Sequence, residues 1–120
     1  MGLENKRNQI RIRVVLPVEV FDIAKQKNFT GRIIDISVGG VSMVTVEELP
    51  VNTPVSLTFS IEENVYKRLP ADVVREEKKQ NEQFLGIAFF DLDAQAQNKL
   101  DLTIRKIHSK IKRGLHNENT

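Results

Sequence analysis

Near the start of the chain, Ile10, Ile12, Val14, Leu16, Val18 and Val20 put an apolar side chain at every second residue. A period of two lines such residues along one face of an extended strand, so the segment from Ile10 to about Phe21 is predicted to be β-strand. The other face carries Arg11, Arg13, Val15, Pro17, Glu19 and Phe21. Five further strand-like segments follow, at Phe29 to Ser37, Val41 to Val46, Val55 to Ile61, Val65 to Glu76 and Phe84 to Phe90. Lys25-Gln26-Lys27-Asn28 and Lys78 to Glu82 read as turns, and Pro70 marks an edge or a bend. Gly39-Gly40 reverses the chain between the second and third strands and suits either a positive φ or a close backbone approach. Six short strands at this spacing imply a mainly β protein, with a closed or nearly closed six-stranded antiparallel barrel over residues 10–92.

After residue 92 the period changes. Leu100, Ile104, Ile107 and Ile111 recur at 4-3-4 spacing with no Pro between them. This predicts an amphipathic helix over residues 93–113, capped by Asp93 and ended by Gly114, with a frayed tail over 114–120. The seam suits a plug in one mouth of the barrel or a cover for its side, and the same period permits self-association through the helix. Arg105, Lys106, Lys110, Lys112 and Arg113 gather toward the C-terminal end, where the helix dipole favours cations.

At 120 residues, 40% hydrophobic and 28% charged, the chain has the size and make-up of one ordinary globular domain. It has no Cys, which excludes a disulfide framework and thiolate chemistry and permits a cytoplasmic location. Two His without Cys supply metal binding poorly, and no metal site is expected. No apolar run approaches the roughly 18 residues that cross a bilayer, so membrane insertion is not expected. The net charge of +2 is unevenly placed, with Lys6, Arg7, Arg11 and Arg13 at one end and the basic helix at the other. That distribution keeps a polyanion among the partners to be weighed.

Two short polar constellations stand in the first third. Arg7-Asn8-Gln9-Ile10-Arg11 places two guanidinium groups at a strand entrance, with Arg11 leading into the sheet and Arg7 outside it on an arm over residues 1–9. A guanidinium forks onto a phosphate or onto the O6/N7 edge of guanine. Asp35-Ile36-Ser37-Val38-Gly39-Gly40 begins 24 residues after Arg11 and supplies a carboxylate and a hydroxyl. In a regular strand Asp35 and Ser37 share one face while Ile34, Ile36 and Val38 take the other. Guanine has donors on its Watson–Crick edge and acceptors on its other edge, so an Arg pair with an Asp/Ser pair suits both. Taken singly, each half has a plain alternative: a solvated basic arm for the first, and ordinary turn chemistry for the second.

Written as R-x-x-x-R followed by D-x-S-x-x-G, the two halves resemble the signature of the PilZ domain, a bacterial receptor module for cyclic di-GMP. Phe84-Leu85-Gly86-Ile87-Ala88-Phe89-Phe90-Asp91-Leu92 resembles the last strand of that family, and the likeness covers roughly residues 6 to 105. The resemblance implies a PilZ-type β-barrel with a C-terminal helix, in a stand-alone single-domain protein. It further implies a cyclic di-GMP site at Arg7, Arg11, Asp35, Ser37 and Gly40, with Lys6, Gly39, Arg13 and Gly86 as additional contacts. A basic residue before the first Arg, here Lys6, goes in the family with binding the ligand as a stacked pair, so one or two molecules per chain are expected. Lys stacks on a base less well than Arg. The expected output is an unidentified effector protein in motility, exopolysaccharide or biofilm control.

Other classes fit less well. A barrel that binds single-stranded RNA or DNA needs an exposed aromatic platform, whereas Phe21, Phe29, Phe59, Phe84, Phe89, Phe90 and Tyr66 fall mostly in strand patterns, so no nucleic-acid polymer is expected. A PilZ-like scaffold that has lost the nucleotide conflicts with the complete motifs. Ser37 has no evident His partner, and Glu62-Glu63 reads as a solvated hairpin turn. No general acid/base pair or metal cluster is evident, and the chain is expected to bind without catalysing.

Overall fold

Alternation carries the chain into six strands, as a computed structural model describes them for residues 9–118, with side chains over 9–114. The strands are β1 (Ile12–Asp22), β2 (Lys27–Ser37), β3 (Gly40–Thr45), β4 (Pro54–Ile61), β5 (Asn64–Lys79) and β6 (Glu82–Phe89), followed by one helix, α1 (Ala94–Glu118). All neighbours are antiparallel and close a barrel in the order β1-β2-β3-β6-β5-β4, with β4 returning to β1. Closure gives every strand a neighbour on each side, which removes the open edge strands of a flat sheet. Inward residues from every strand, among them Val20, Ile33, Ile36, Met43, Leu57, Val73 and Leu85, fill the interior.

Two departures from the expected pattern bear on the outer face of the barrel. The Lys78 to Glu82 turn contracts to Gln80-Asn81, and β5 runs on to Lys79. Residues 74–79 of β5 are exposed on both faces, so their composition imitates a loop although they pair with β6. The alternation itself breaks in β2. A bulge between Ile33 and Asp35 sets two residues against Ser42, so Ile33 and Ile36 both point inward while Ile34 and Asp35 are half-buried between them. Ile34 therefore does not share the face of Ile36, and Val38 lies in the turn beyond the strand.

The helix begins as the sequence predicts. The Asp93 carboxylate accepts from the Ala96 amide at 2.7 Å, satisfying one of the first-turn donors. Leu100 and Ile104 join the buried interior cluster, and α1 meets the barrel at the β4–β5 hairpin end. Of the two placements open to the apolar seam, the barrel mouth is the one adopted. Thr103 fixes it there: its hydroxyl lies 3.1 Å from the Tyr66 hydroxyl and 3.2 Å from Asn64 Nδ2, which donates to it. Burial pushes the Tyr66 phenol above its ordinary pKa, with the Thr103 hydrogen bond opposing the shift. Lys110 Nζ adds a bridge of 3.2 Å to Glu62. Replacing Leu100 by Ala should cost about 2–5 kcal/mol, because the side chain is wholly buried and a cavity would remain. A melting curve close to that of the wild type would show that the helix is dispensable to the core.

Gly114 does not end α1, which continues to Glu118. Its φ is not positive, and a Cβ there would meet nothing within 4 Å. A glycine within a helix costs about 1 kcal/mol relative to Ala and does not by itself terminate it. The apolar seam ends sooner than the helix: Ile107 is partly buried against the barrel, whereas Ile111 is 43% exposed.

Candidate functional site

The end of β2, the Val38-Gly39 turn and the start of β3 form a rim beside the helix-capped mouth, and Arg11 stands just ahead of β1 on the neighbouring strand. Arg11 Nη1 donates to Asp35 Oδ1, and Arg11 Nη2 lies 3.5 Å from the Ser37 hydroxyl. The guanidinium is half exposed and the Asp35 carboxylate a quarter exposed, so the pair faces solvent while holding Arg11 in place. Ser37 is 1% exposed. Its oxygen accepts from the Gly39 amide at 3.2 Å and lies 3.5 Å from the Gly40 carbonyl, to which it donates. The hydroxyl thus builds the turn, as the turn-chemistry alternative for this motif expects, and also touches Arg11.

Neither Gly39 nor Gly40 has a positive φ; close approach is what the sequence needs here. A Cβ on Gly40 would fall 2.1 Å from the Ile87 carbonyl oxygen. At Gly39 it would meet the Gln9 side chain, which folds over the turn with Oε1 2.7 Å from that position. Together these groups border a shallow cavity of about 560 Å³, lined also by Val41, Ser42, Val74, Arg75, Gly86, Ile87 and Ala88. Strand register explains its composition. Arg13 pairs with Asp35, Asp35 with Ser42, Ser42 with Gly86 and Gly86 with Arg75, so one cross-strand row on the outer face spans five strands. The described charges lining the cavity are Arg11, Asp35 and Arg75, an excess of one cation. The charge balance suits an anion and leaves a carboxylate for hydrogen-bond donors.

The profile of the PilZ domain matches residues 5–105, most of the chain. The chain belongs to the PilZ domain family. No curated protein matches it. Among solved structures, Escherichia coli YcgR in complex with c-di-GMP aligns over 93% of this PilZ chain and 50% of its own length, with a TM-score of 0.76 and 14% identity. The PilZ domain of YcgR with c-di-GMP aligns over 92% of this chain and 98% of its own, at 0.74 and 14%. Bacillus subtilis MotI/DgrA, an inhibitor of motility, aligns over 87% of this chain and 52% of its own, at 0.71 and 20%. This PilZ chain spans about half the length of MotI/DgrA and of full-length YcgR. These likenesses agree with the closed barrel and single C-terminal helix of the fold.

Within the PilZ barrel, Arg11, Asp35, Ser37, Gly39, Gly40 and Gly86 come together on one cavity. Arg13 does not line it; it borders a neighbouring groove with Val14, Val15, Ile34 and Asp35. Lys6 and Arg7 lie outside the described residues. Gln9, Ser42 and Arg75 line the cavity although their sequence context did not single them out. For Arg75 a signal existed: it follows Ala71 and Val73 at the next inward position of an alternating strand, where a cation is out of place. Among the described residues there is no group of three or more His, Cys, Asp or Glu placed to hold a metal ion, and no helix is long and apolar enough to cross a membrane.

Proposed function

We propose that this PilZ chain is a receptor for cyclic di-GMP that acts on a separate protein. The observation that carries the reading is the convergence of Arg11, Asp35, Ser37 and Gly40 on one open cavity, in the order the family signature requires. Arg11 suits a phosphate oxygen or the O6/N7 edge of guanine, and Asp35 suits the donors of the Watson–Crick edge. Gly40 and the turn closed by Ser37 leave the floor free of side chains, so a flat base can approach the backbone. Arg7 supplies the second guanidinium from the segment before Gln9, and Lys6 stands beside it for a second ligand molecule. Arg11 is already docked on Asp35, and the arm whose ordering on binding belongs to this reading lies ahead of Gln9, outside the described residues. Fixing backbone costs about 1–2 kcal/mol per residue, a cost that charge-assisted contacts to two phosphates offset.

YcgR binds c-di-GMP in the matched structures and MotI/DgrA is an inhibitor of motility, which supports both the ligand and a regulatory output for this chain. In this reading the signal is the surface made by the ordered arm, the ligand and the adjoining barrel wall, offered to an effector in motility, exopolysaccharide or biofilm control. In this reading the chain binds the dinucleotide without turning it over.

Isothermal titration calorimetry of cyclic di-GMP into the wild type, with GTP as control, tests the proposal. Saturable heat with the dinucleotide alone is expected, at one or two molecules per chain, and it should vanish in Arg7→Ala. Asp35→Ala should weaken binding with the fold intact by circular dichroism. A folded wild type without binding heat would make the chain a nucleotide-free interaction module.

A further inference from the structure

We infer that Arg75 contacts the ligand, its guanidinium serving as a planar seat for one purine of the bound nucleotide. This rests on the cyclic di-GMP reading and adds a residue outside both motifs. In β5, Ala71 and Val73 are buried, and unbroken alternation would send Arg75 into the core after them. A bulge between Val73 and Arg75 leaves Val74 as the extra residue and turns Arg75 to the outer face, where it pairs with Gly86. Bulges re-aim side chains in this way at the margins of functional sites.

Gly86 completes the arrangement. Having no side chain, it lets Arg75 fold down onto the sheet: Arg75 Cβ, Cζ and Nη2 each lie 3.2 Å from the point that a Cβ of residue 86 would occupy. The guanidinium consequently lies over the outer surface of β6, where it lines both the main cavity and an adjoining groove that shares Asp35 and Ser42. It is also uncommitted. Arg11 is paired with Asp35, Glu77 lies 3.9 Å from Lys79, and Glu76 accepts from Gln83 at 3.4 Å, but no ion pair or side-chain hydrogen bond among the described residues engages Arg75. An unpaired guanidinium covered on one side by glycine backbone has its other face open to an aromatic ring, and a guanidinium plane stacks on such rings as an ammonium does not.

Calorimetry on the full chain with Arg75→Ala and Arg75→Lys separates this role from that of a solvated surface cation. Stacking contacts to bases lead to an expected loss of about 10- to 100-fold in cyclic di-GMP affinity for Arg75→Ala. Arg75→Lys, which keeps the charge and most of the stem, should lose nearly as much, with circular dichroism unchanged in both. Binding within about threefold of wild type in the Ala variant would overturn the assignment, as would wild-type affinity in the Lys variant, since a point charge would then suffice. If the wild type binds and Arg75→Ala binds equally, the inference alone fails; if the wild type does not bind, the receptor reading fails and takes the inference with it.

Discussion

Arg11→Ala is expected to lower cyclic di-GMP affinity by about 100-fold or more. Hydrogen bonds to charged groups contribute about 1.5–3 kcal/mol each, and each 1.4 kcal/mol is tenfold in affinity. A forked contact therefore accounts for a loss of this size. The variant also leaves Asp35 without its cation at the edge of the cavity, where an unpaired carboxylate repels a phosphodiester. Arg11→Lys should do nearly as much harm, because an ammonium cannot fork. The fold should scarcely notice. The Arg11–Asp35 pair is partly exposed, and pairs of that kind contribute about 0–1 kcal/mol. Titration and thermal melting on the same sample make the check. Wild-type affinity in Arg11→Ala would remove this guanidinium from the site, and a collapse of the melting transition would make its role structural.

Gly40→Ala should act in the opposite way, through the fold. The added Cβ would stand 2.1 Å from the Ile87 carbonyl oxygen and 3.1 Å from Ala88 Cα, backbone atoms of the paired strand β6. Neither atom can swing aside, because Val41 pairs with Ile87 and the Phe89 amide donates to the Gly39 carbonyl at 2.9 Å. The strands must separate at the rim of the site. A cost of about 3 kcal/mol is expected, which for a domain of this size lowers the melting temperature by about 10 °C. Gly39→Ala is the internal control. There the contact is the far end of the exposed Gln9 side chain, which can rotate away, and the expected cost is below about 1 kcal/mol. Calorimetric melting of the two variants against wild type decides the matter, and equal melting temperatures would contradict the close-approach account of Gly40.

The motif residues were legible because their chemistry is unusual at their positions. Two guanidiniums before a strand, and a carboxylate and hydroxyl before a glycine turn, stand out whatever surrounds them. Ser37 was legible only in part: its hydroxyl reads as a ligand group, whereas in the folded chain it is buried and holds the turn together. Arg13 and Arg75 show the limit more sharply. Arg13 lies beside the motif in sequence yet borders a different groove, while Arg75, distant in sequence, comes to the cavity wall because Gly86 lies between it and Ser42 in the cross-strand row.

The order of elements, the inward set of β1 and the cap at Asp93 follow from the chain itself, since each depends on a local period or on a side chain three residues from its partner. Tertiary structure decided the rest. The bulges at Ile34 and Val74, the contraction of the turn after Lys79 and the row from Arg13 to Arg75 are set by pairing with strands far away in sequence. A shift of one residue in that pairing exchanges the two faces of a strand, so no local pattern specifies which side chains the cavity receives.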